Sequence, residues 1–220
     1  MGKIAFIDFE TDGHNRKGAR LANGPSGADA FCYPVSVCVI VTDFEGNVLK
    51  ESHHEIIPID AYGKKLTISQ EAIDIHGITT EHAMEFGVER KPIMAAIMKR
   101  LSDVDIAVAH NGMIFDFQIL VAELIRHKLL PNTVLSLAGA EFLPTLFDTM
   151  KDPRIKKWVD ARKSNGHKKP PSMGDVYRKC FGKDFANAHT ALGDTTALKD
   201  MFFKMIELGI IDIPPVVVKE

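Results

Sequence analysis

At 220 residues, 45% hydrophobic and 25% charged, with no internal repeat or low-complexity linker, the chain is expected to form one domain over residues 1–220 with a sizeable core. A formal net charge of −2 gives no general pull toward polyanions, and three cysteines (Cys32, Cys38, Cys180) exclude a disulfide scaffold, reading instead as reduced thiols in a cytoplasmic protein. No apolar run is long enough to span a bilayer or has the pattern of a signal peptide, so no membrane partner is expected.

Lys3 to Phe9 is a short run of apolar, β-branched and aromatic residues, the pattern of a buried central strand. Side chains two apart on a strand share a face, so Asp8 and Glu10 project together. Two adjacent carboxylates without a neighbouring Lys or Arg repel, and a shared cation resolves the repulsion. Alone, such a pair is more often a solvated strand end. The Gly-, Asn-, Arg- and Ala-rich residues that follow read as a loop insertion over 11–33, either covering a groove at the end of the strand or neutral. Pro34 to Asp43 and Val48 to Pro58 read as strands that form an antiparallel meander with the first, and Ile68 to Ile75, Thr80 to Phe86 and Pro92 to Leu101 as helices.

Ile106 to Ala109 is a fourth apolar strand, His110-Asn111-Gly112 a turn, and Gly112 to His127 a helix whose Phe117, Leu120, Val121, Leu124 and Ile125 repeat at helical spacing. Asp116 stands one residue before that stripe, and by itself reads as a first-turn acid favoured by the helix dipole. Asn111 suits a structural role, tying the turn by hydrogen bonds. Glu141 to Asp148 is the fifth strand, which makes the chain α/β, a five-stranded mixed sheet flanked by helices. Lys151, Arg154, Lys156, Lys157, Arg162, Lys163, Lys168 and Lys169 then crowd one stretch, opposed there by Asp152 and Asp160, with a helix around Lys156. Such runs are usually solvated faces. Trp158 among them anchors the helix or stacks on a base.

Ser172 to Phe181 is a helix closed by Gly182-Lys183. In the last helix, Thr190 to Leu208, the stripe Leu198, Met201, Phe202, Met205 and Ile206 faces inward, and Asp194, four residues before Leu198, lies on the same face. His189, about 140° from Asp194 on a continuous helix, belongs on the preceding loop. An imidazole there is suited to taking a proton from water. A tail over 209–220 closes the chain.

Asp8, Glu10, Asp116 and Asp194 are thus four acids at positions where apolar groups would pack best, and buried anions must be paired or coordinate metal. Oxygen-only donors suit Mg²⁺ or Mn²⁺ better than Zn²⁺. Taken together, Ile7-Asp8-Phe9-Glu10-Thr11, His110 to Asp116 and the His-x-x-x-x-Asp of His189 to Asp194 resemble the motifs of the DEDDh 3′→5′ exonucleases, the DnaQ-like group of the ribonuclease H-like superfamily. Ile75-His76-Gly77-Ile78-Thr79 and Phe147-Asp148-Thr149 extend the resemblance, which covers Ile4 to Leu198, and His189 separates the chain from the sister DEDDy group. The departure is the insertion, where the family commonly turns quickly into its second strand.

The resemblance implies a ribonuclease H-like fold and two Mg²⁺ (or Mn²⁺) ions, with Asp8 bridging them, Glu10 and Asp194 holding the first, Asp116 the second, and His189 as general base. It implies nucleic acid as partner, with 5′-mononucleotides released from DNA 3′ ends. An RNA 3′-end trimming enzyme, a polymerase-associated proofreading subunit and an inactive nucleic-acid-binding scaffold are the alternatives. A free-standing enzyme is favoured because no polymerase-binding tail is evident after Ile210; a polymerase or homo-oligomer partner is left open. For substrate binding it points to Phe9, Thr11 and Phe115 near the terminal base (core packing being an equal reading for Phe9), to His76 and Asn111 beside the groove, and to Lys156, Lys157, Lys168 and Lys169 on phosphate. Arg16, Lys17 and Arg20 of the insertion are further phosphate candidates.

Overall fold

The computed structural model describes residues 2–215, so the last five residues of the expected 209–220 tail lie outside it. Its sheet is built around β1 (Lys3–Thr11), which pairs antiparallel with β2 (Pro34–Asp43) and parallel with β4 (Ile106–Ala109). β3 (Val48–Glu55) lies antiparallel to β2, and β5 (Thr145–Asp148) parallel to β4, giving the order β3-β2-β1-β4-β5. The mixed five-stranded sheet and its antiparallel meander are those expected from the sequence.

The two-residue period of β1 sorts its side chains into two cores. Ala5, Ile7 and Phe9 face a layer containing α4 (Arg90–Ser102) and α5 (Asp116–Arg126), where Met94, Leu101, Phe117 and Leu120 are fully buried. Ile4 and Phe6 face α8 (Ala191–Glu207), whose Leu198, Met201, Phe202 and Met205 fill the second core, with Phe6 edge-on to Phe202 at 5.4 Å. Asp8 and Glu10 continue the Ile4–Phe6 row and therefore emerge toward α8. The remaining helices are α1 (Gly24–Ala28), α2 (Gln70–His76), α3 (Thr80–Phe86), α6 (Pro153–Val159) and α7 (Met173–Phe181). Among the described residues no helix is long and apolar enough to cross a membrane.

Several element boundaries differ from the sequence expectation. β1 runs on to Thr11, β3 stops at Glu55, and only the last four residues of Glu141–Asp148 are strand, because Pro144 has no N–H for a ladder. α2 begins at Gln70, where the Ser69 side chain accepts the Ala72 N–H, and α4 begins two residues before Pro92, which sits in the first turn where a missing N–H is harmless. α5 begins at Asp116 and not at Gly112, since Asn111 adopts a φ of 71° and residues 112–115 form a turn.

The larger correction is the insertion, which is folded. It contains a 3₁₀ turn (Leu21–Asn23) and α1, and Leu21, Ala28, Phe31 and Cys32 join the first core. Its anchor lies about a hundred residues away. Arg126 of α5 donates through Nη2 to the carbonyls of Ala28 and Phe31, both at 2.6 Å, and through Nη1 to Glu123. Arg90 Nη1 meets the other Glu123 oxygen at 3.4 Å, and the Tyr33 ring lies within 4.0 Å of the Arg126 guanidinium and 5.1 Å of that of Arg90. Burial alone would raise the Glu123 carboxyl; Arg90, His127 and Arg126 together hold it down at about 2. Removing one member of such a buried cluster leaves an unpaired charge and costs roughly 3–5 kcal/mol.

Candidate active site

Three elements converge at the C-terminal end of β1. Asp8 and Glu10 share its α8 face, and Asp194 enters from the first turn of α8; one carboxylate oxygen from each lies within 4.8 Å of the others. Thr190 caps α8 by accepting the Gly193 N–H at 3.1 Å, and Asp194 Oδ1 accepts the His189 N–H at 3.1 Å. Asp116, 2% exposed at the start of α5, accepts the Phe9 N–H at 3.1 Å beyond the point where β4 pairing with β1 has ended. The fourth acid is therefore fastened to the strand between the first two.

The electrostatics show what this arrangement lacks. Burial, then the neighbouring Asp116, Asp194 and Glu10, raise the Asp8 carboxyl well above its ordinary range. Burial, then Asp194 and Asp116, bring Glu10 to about 7; burial brings Asp116 to about 7 against the opposing Phe9 N–H bond; burial raises Asp194 against the weaker pull of His189. No Lys or Arg enters any of these balances. Four carboxyls strained toward neutrality on oxygen-only donors fit a site completed by hard divalent cations.

His189 is on the loop before α8, as expected, exposed and at a φ of 65°. The loop's approach to α8 requires Gly193, where a Cβ would stand 2.1 Å from the Asn187 carbonyl oxygen. Its imidazole is free of the structural hydrogen bonds that occupy the other candidate histidine. His76 is buried, its Nδ1 accepts the Ile78 N–H at 3.1 Å, and its Nε2–H donates to the Thr11 carbonyl at 3.1 Å. His76 thus fixes the end of β1 and has no donor left to offer.

A groove of about 170 Å³ beside the acids is lined by Phe9, Glu10, Thr11, Ser69, His76 and Phe115, among others. Phe9 is 3% exposed and chiefly a core residue, whereas Phe115 is half-buried. The Thr11 hydroxyl donates to the Gly13 carbonyl at 2.9 Å. Asn111 acts through its backbone, accepting the Ile114 and Phe115 N–H groups at 3.1 Å. The lysines stand apart from this lining. Lys156 and Lys157 are exposed on α6, while Lys168 pairs with Asp160 at 3.4 Å and Lys169 with Asp175 at 2.7 Å, so half of the expected basic set is engaged within the protein. Trp158 packs on the second core as an anchor.

One residue named in the sequence only as part of Phe147-Asp148-Thr149 has a supporting role that the sequence did not disclose. Asp148, at the end of β5 and 7% exposed, accepts the N–H groups of Asn111 (2.9 Å) and Met150 (3.0 Å) on Oδ1 and of Met113 (3.1 Å) on Oδ2. It holds the turn that delivers Asp116. His110 completes the brace: Nε2–H donates to the Pro171 carbonyl at 3.1 Å, Nδ1 lies 2.8 Å from the Thr149 hydroxyl, and burial keeps the ring neutral with its pKa at about 4. A carboxylate ending an apolar strand was the available signal.

No family model matches the chain. It is 28% identical over 106 residues to human three-prime repair exonuclease 1, an alignment covering 48% of this chain and 31% of that protein. With the bovine protein of the same name it shares 33% over 91 residues, 41% of this chain and 26% of the relative. The E. coli exonuclease I structure in complex with a dT13 oligonucleotide superposes over 94% of this chain and 41% of its own, with a TM-score of 0.69 and 19% identity. The chain thus aligns with about a third or less of each sequence relative. In fold it matches exonuclease I, a mixed five-stranded sheet flanked by helices of ribonuclease H-like type.

Proposed function

We propose that the chain is a divalent-metal-dependent 3′→5′ exonuclease that hydrolyses phosphodiester bonds at DNA 3′ ends and releases 5′-mononucleotides. The observation that carries this reading is the convergence of Asp8, Glu10, Asp194 and Asp116, all raised by burial, and Asp8, Glu10 and Asp116 also by carboxylate repulsion, without a Lys or Arg to offset them. Asp8, Glu10, Asp194 and Asp116 would hold the divalent cations, Mg²⁺ or Mn²⁺, with Asp8, Glu10 and Asp194 already grouped within 4.8 Å of one another and Asp116 fastened to the same strand. When bound, two such ions supply positive charge to both sides of an in-line displacement at phosphorus.

The protein's own groups do the rest. The groove beside the acids holds the terminal nucleotide, with Phe115 offering the accessible aromatic surface. His189, on its exposed loop beside Asp194, takes the proton of the attacking water. DNA is the preferred substrate in this reading, supported by the sequence likeness to three-prime repair exonuclease 1 and the fold likeness to exonuclease I in complex with a dT13 oligonucleotide.

The test is hydrolysis of a 5′-labelled single strand with Mg²⁺ or Mn²⁺. Stepwise shortening from the 3′ end, stopped by chelation and by Asp8→Ala or Asp116→Ala in a folded protein, is the expected result; shortening that survives either substitution at near-wild-type rate overturns it.

A further inference from the structure

At the other end of β1 from the four acids, three elements bring cations around one space. Lys3 at the start of β1, Lys50 on β3, and Lys99 and Arg100 in the last turn of α4 line a cavity of about 340 Å³ whose walls include Val41 and Val104. Asp103 is the single acid in that lining, and among the described residues none of the four cations is in an ion pair. Helix formation explains part of this. A cation in the last turn suits the negative end of the helix dipole, which accounts for Lys99 and Arg100. Lys3 and Lys50 stand on strands, where no such attraction operates. Lys50 is paired with Val41 across β2 and β3, so it shares the sheet face that α4 covers. Arg100 is half-buried, and its Nη1 donates to the Ser52 hydroxyl; burial holds its pKa below the ordinary value, with no carboxylate to offset it. Its guanidinium is thus fixed by a neutral partner, and its charge is left unanswered.

We infer that this cavity binds a small polyphosphate, the linked phosphates of a nucleoside triphosphate or of inorganic tripolyphosphate. Four cations against one acid leave a surplus of three positive charges, which a single phosphate, at about −2, does not neutralise and a chain of three phosphates does. Apolar walls keep the local dielectric low and concentrate the field of the cations within the cavity. The backbone of a nucleic-acid strand spreads its charges along its length and is met by cations in a row, whereas these come from three elements around one space. Lys3 is five residues before Asp8, roughly 17 Å along an extended strand, so the site is separate from the acids and does not depend on the nuclease reading.

The experiment is isothermal titration calorimetry of the full chain in chelator at low salt, where the metal-free carboxylates repel any polyanion. Tripolyphosphate is expected to bind one per chain, dATP at least as tightly, and dAMP at least tenfold more weakly. Tighter binding of dATP than of tripolyphosphate identifies the nucleotide as the occupant, and equal binding the phosphate chain alone; both support the site. Lys50→Glu/Lys99→Glu, at exposed positions, is expected to weaken tripolyphosphate tenfold or more without lowering Tm. Arg100→Lys is expected to weaken it threefold or more although the charge is kept, because an ammonium does not reproduce the fork that Ser52 holds. Lys64→Glu/Lys91→Glu makes the same change of net charge at exposed positions outside the cavity and is expected to bind like the wild type. An equal loss in the two double reversals, full affinity in Lys50→Glu/Lys99→Glu, dAMP binding as tightly as tripolyphosphate, or no saturable binding overturns the inference. So does a single-stranded oligonucleotide that displaces tripolyphosphate and itself binds Lys50→Glu/Lys99→Glu tenfold more weakly, because the cavity then holds a strand backbone.

Discussion

Asp8→Asn is expected to stabilise the metal-free protein, and only above about pH 5. Glu10, carried from 4.5 to about 7, is about 3 kcal/mol less stable as an anion in the fold than in the unfolded chain, and Asp116, carried from 3.8 to about 7, about 4 kcal/mol, at about 1.4 kcal/mol per tenfold. Because the folded protein keeps these protons between pH 4 and 7 while the unfolded chain has released them, stability falls as pH rises through that window and stays low above it. His110 acts in the opposite sense, since the unfolded ring takes a proton below 6.5 and the buried one only near 4, adding stability as pH rises over the same range. The raw pH profile therefore mixes the two, and the difference between wild type and Asp8→Asn isolates the acids. The four carboxyls repel one another, so their penalties do not sum; removing one anion is expected to return about 3 kcal/mol at pH 7.5 and almost nothing at pH 4. For a chain of this size that is roughly 6–12 °C in Tm. Melting wild type and Asp8→Asn at pH 4, 6 and 7.5 in chelator, then at pH 7.5 with Mg²⁺ or Mn²⁺, reads it directly. At about a hundredfold over Kd the metal is expected to add about 2.7 kcal/mol to the wild type alone and close the gap. A Tm difference that is equal at pH 4 and pH 7.5, or a destabilised Asp8→Asn at pH 7.5, refutes the electrostatic account of the cluster.

His189→Ala is expected to slow the chemical step by roughly 10²–10⁴ while DNA affinity measured in Ca²⁺ holds; an unaltered single-turnover rate assigns the side chain no part in the chemistry. Asp148→Asn keeps only one oxygen acceptor for N–H groups of Asn111, Met113 and Met150, so urea denaturation is expected to report a loss of roughly 1–3 kcal/mol; a change below about 0.5 kcal/mol shows that the turn stands without it. Strands that differ by a single terminal ribose or deoxyribose are expected both to be cut, with the deoxy end preferred, and a strong ribose preference moves the chain to RNA 3′-end trimming.

What the sequence disclosed and what it withheld follow from how local each signal is. Strand alternation placed Asp8 and Glu10 on one face, and the stripe of α8 placed Asp194 on its inner side, because period-two and period-3.6 patterns are written in consecutive residues. Asp116 needed more, since its inward position depends on a turn fixed by Asp148, thirty-odd residues later, and the helix it opens was accordingly drawn four residues too long. The insertion was the chief loss. Its composition is that of a loop, and nothing within residues 12–33 announces a core segment, because the groups that fold it are Arg126 and Glu123 on α5 and Arg90 on α4. A buried guanidinium that satisfies two loop carbonyls is visible only once helix and loop are side by side. The basic run shows the converse limit: its charges were counted, but Asp175, which takes Lys169, lies outside the stretch in which they were counted. The same logic joins the insertion to function. A segment held by so much buried charge is fixed in place, and the surface it presents is the wall of a groove lined on its other side by Met113 and Ile114, in the turn before Asp116. The buried ion cluster on one side of α5 and the carboxylate brace at its N-terminus thus serve one end, which is to keep two walls apart and leave the apolar surface between them uncovered.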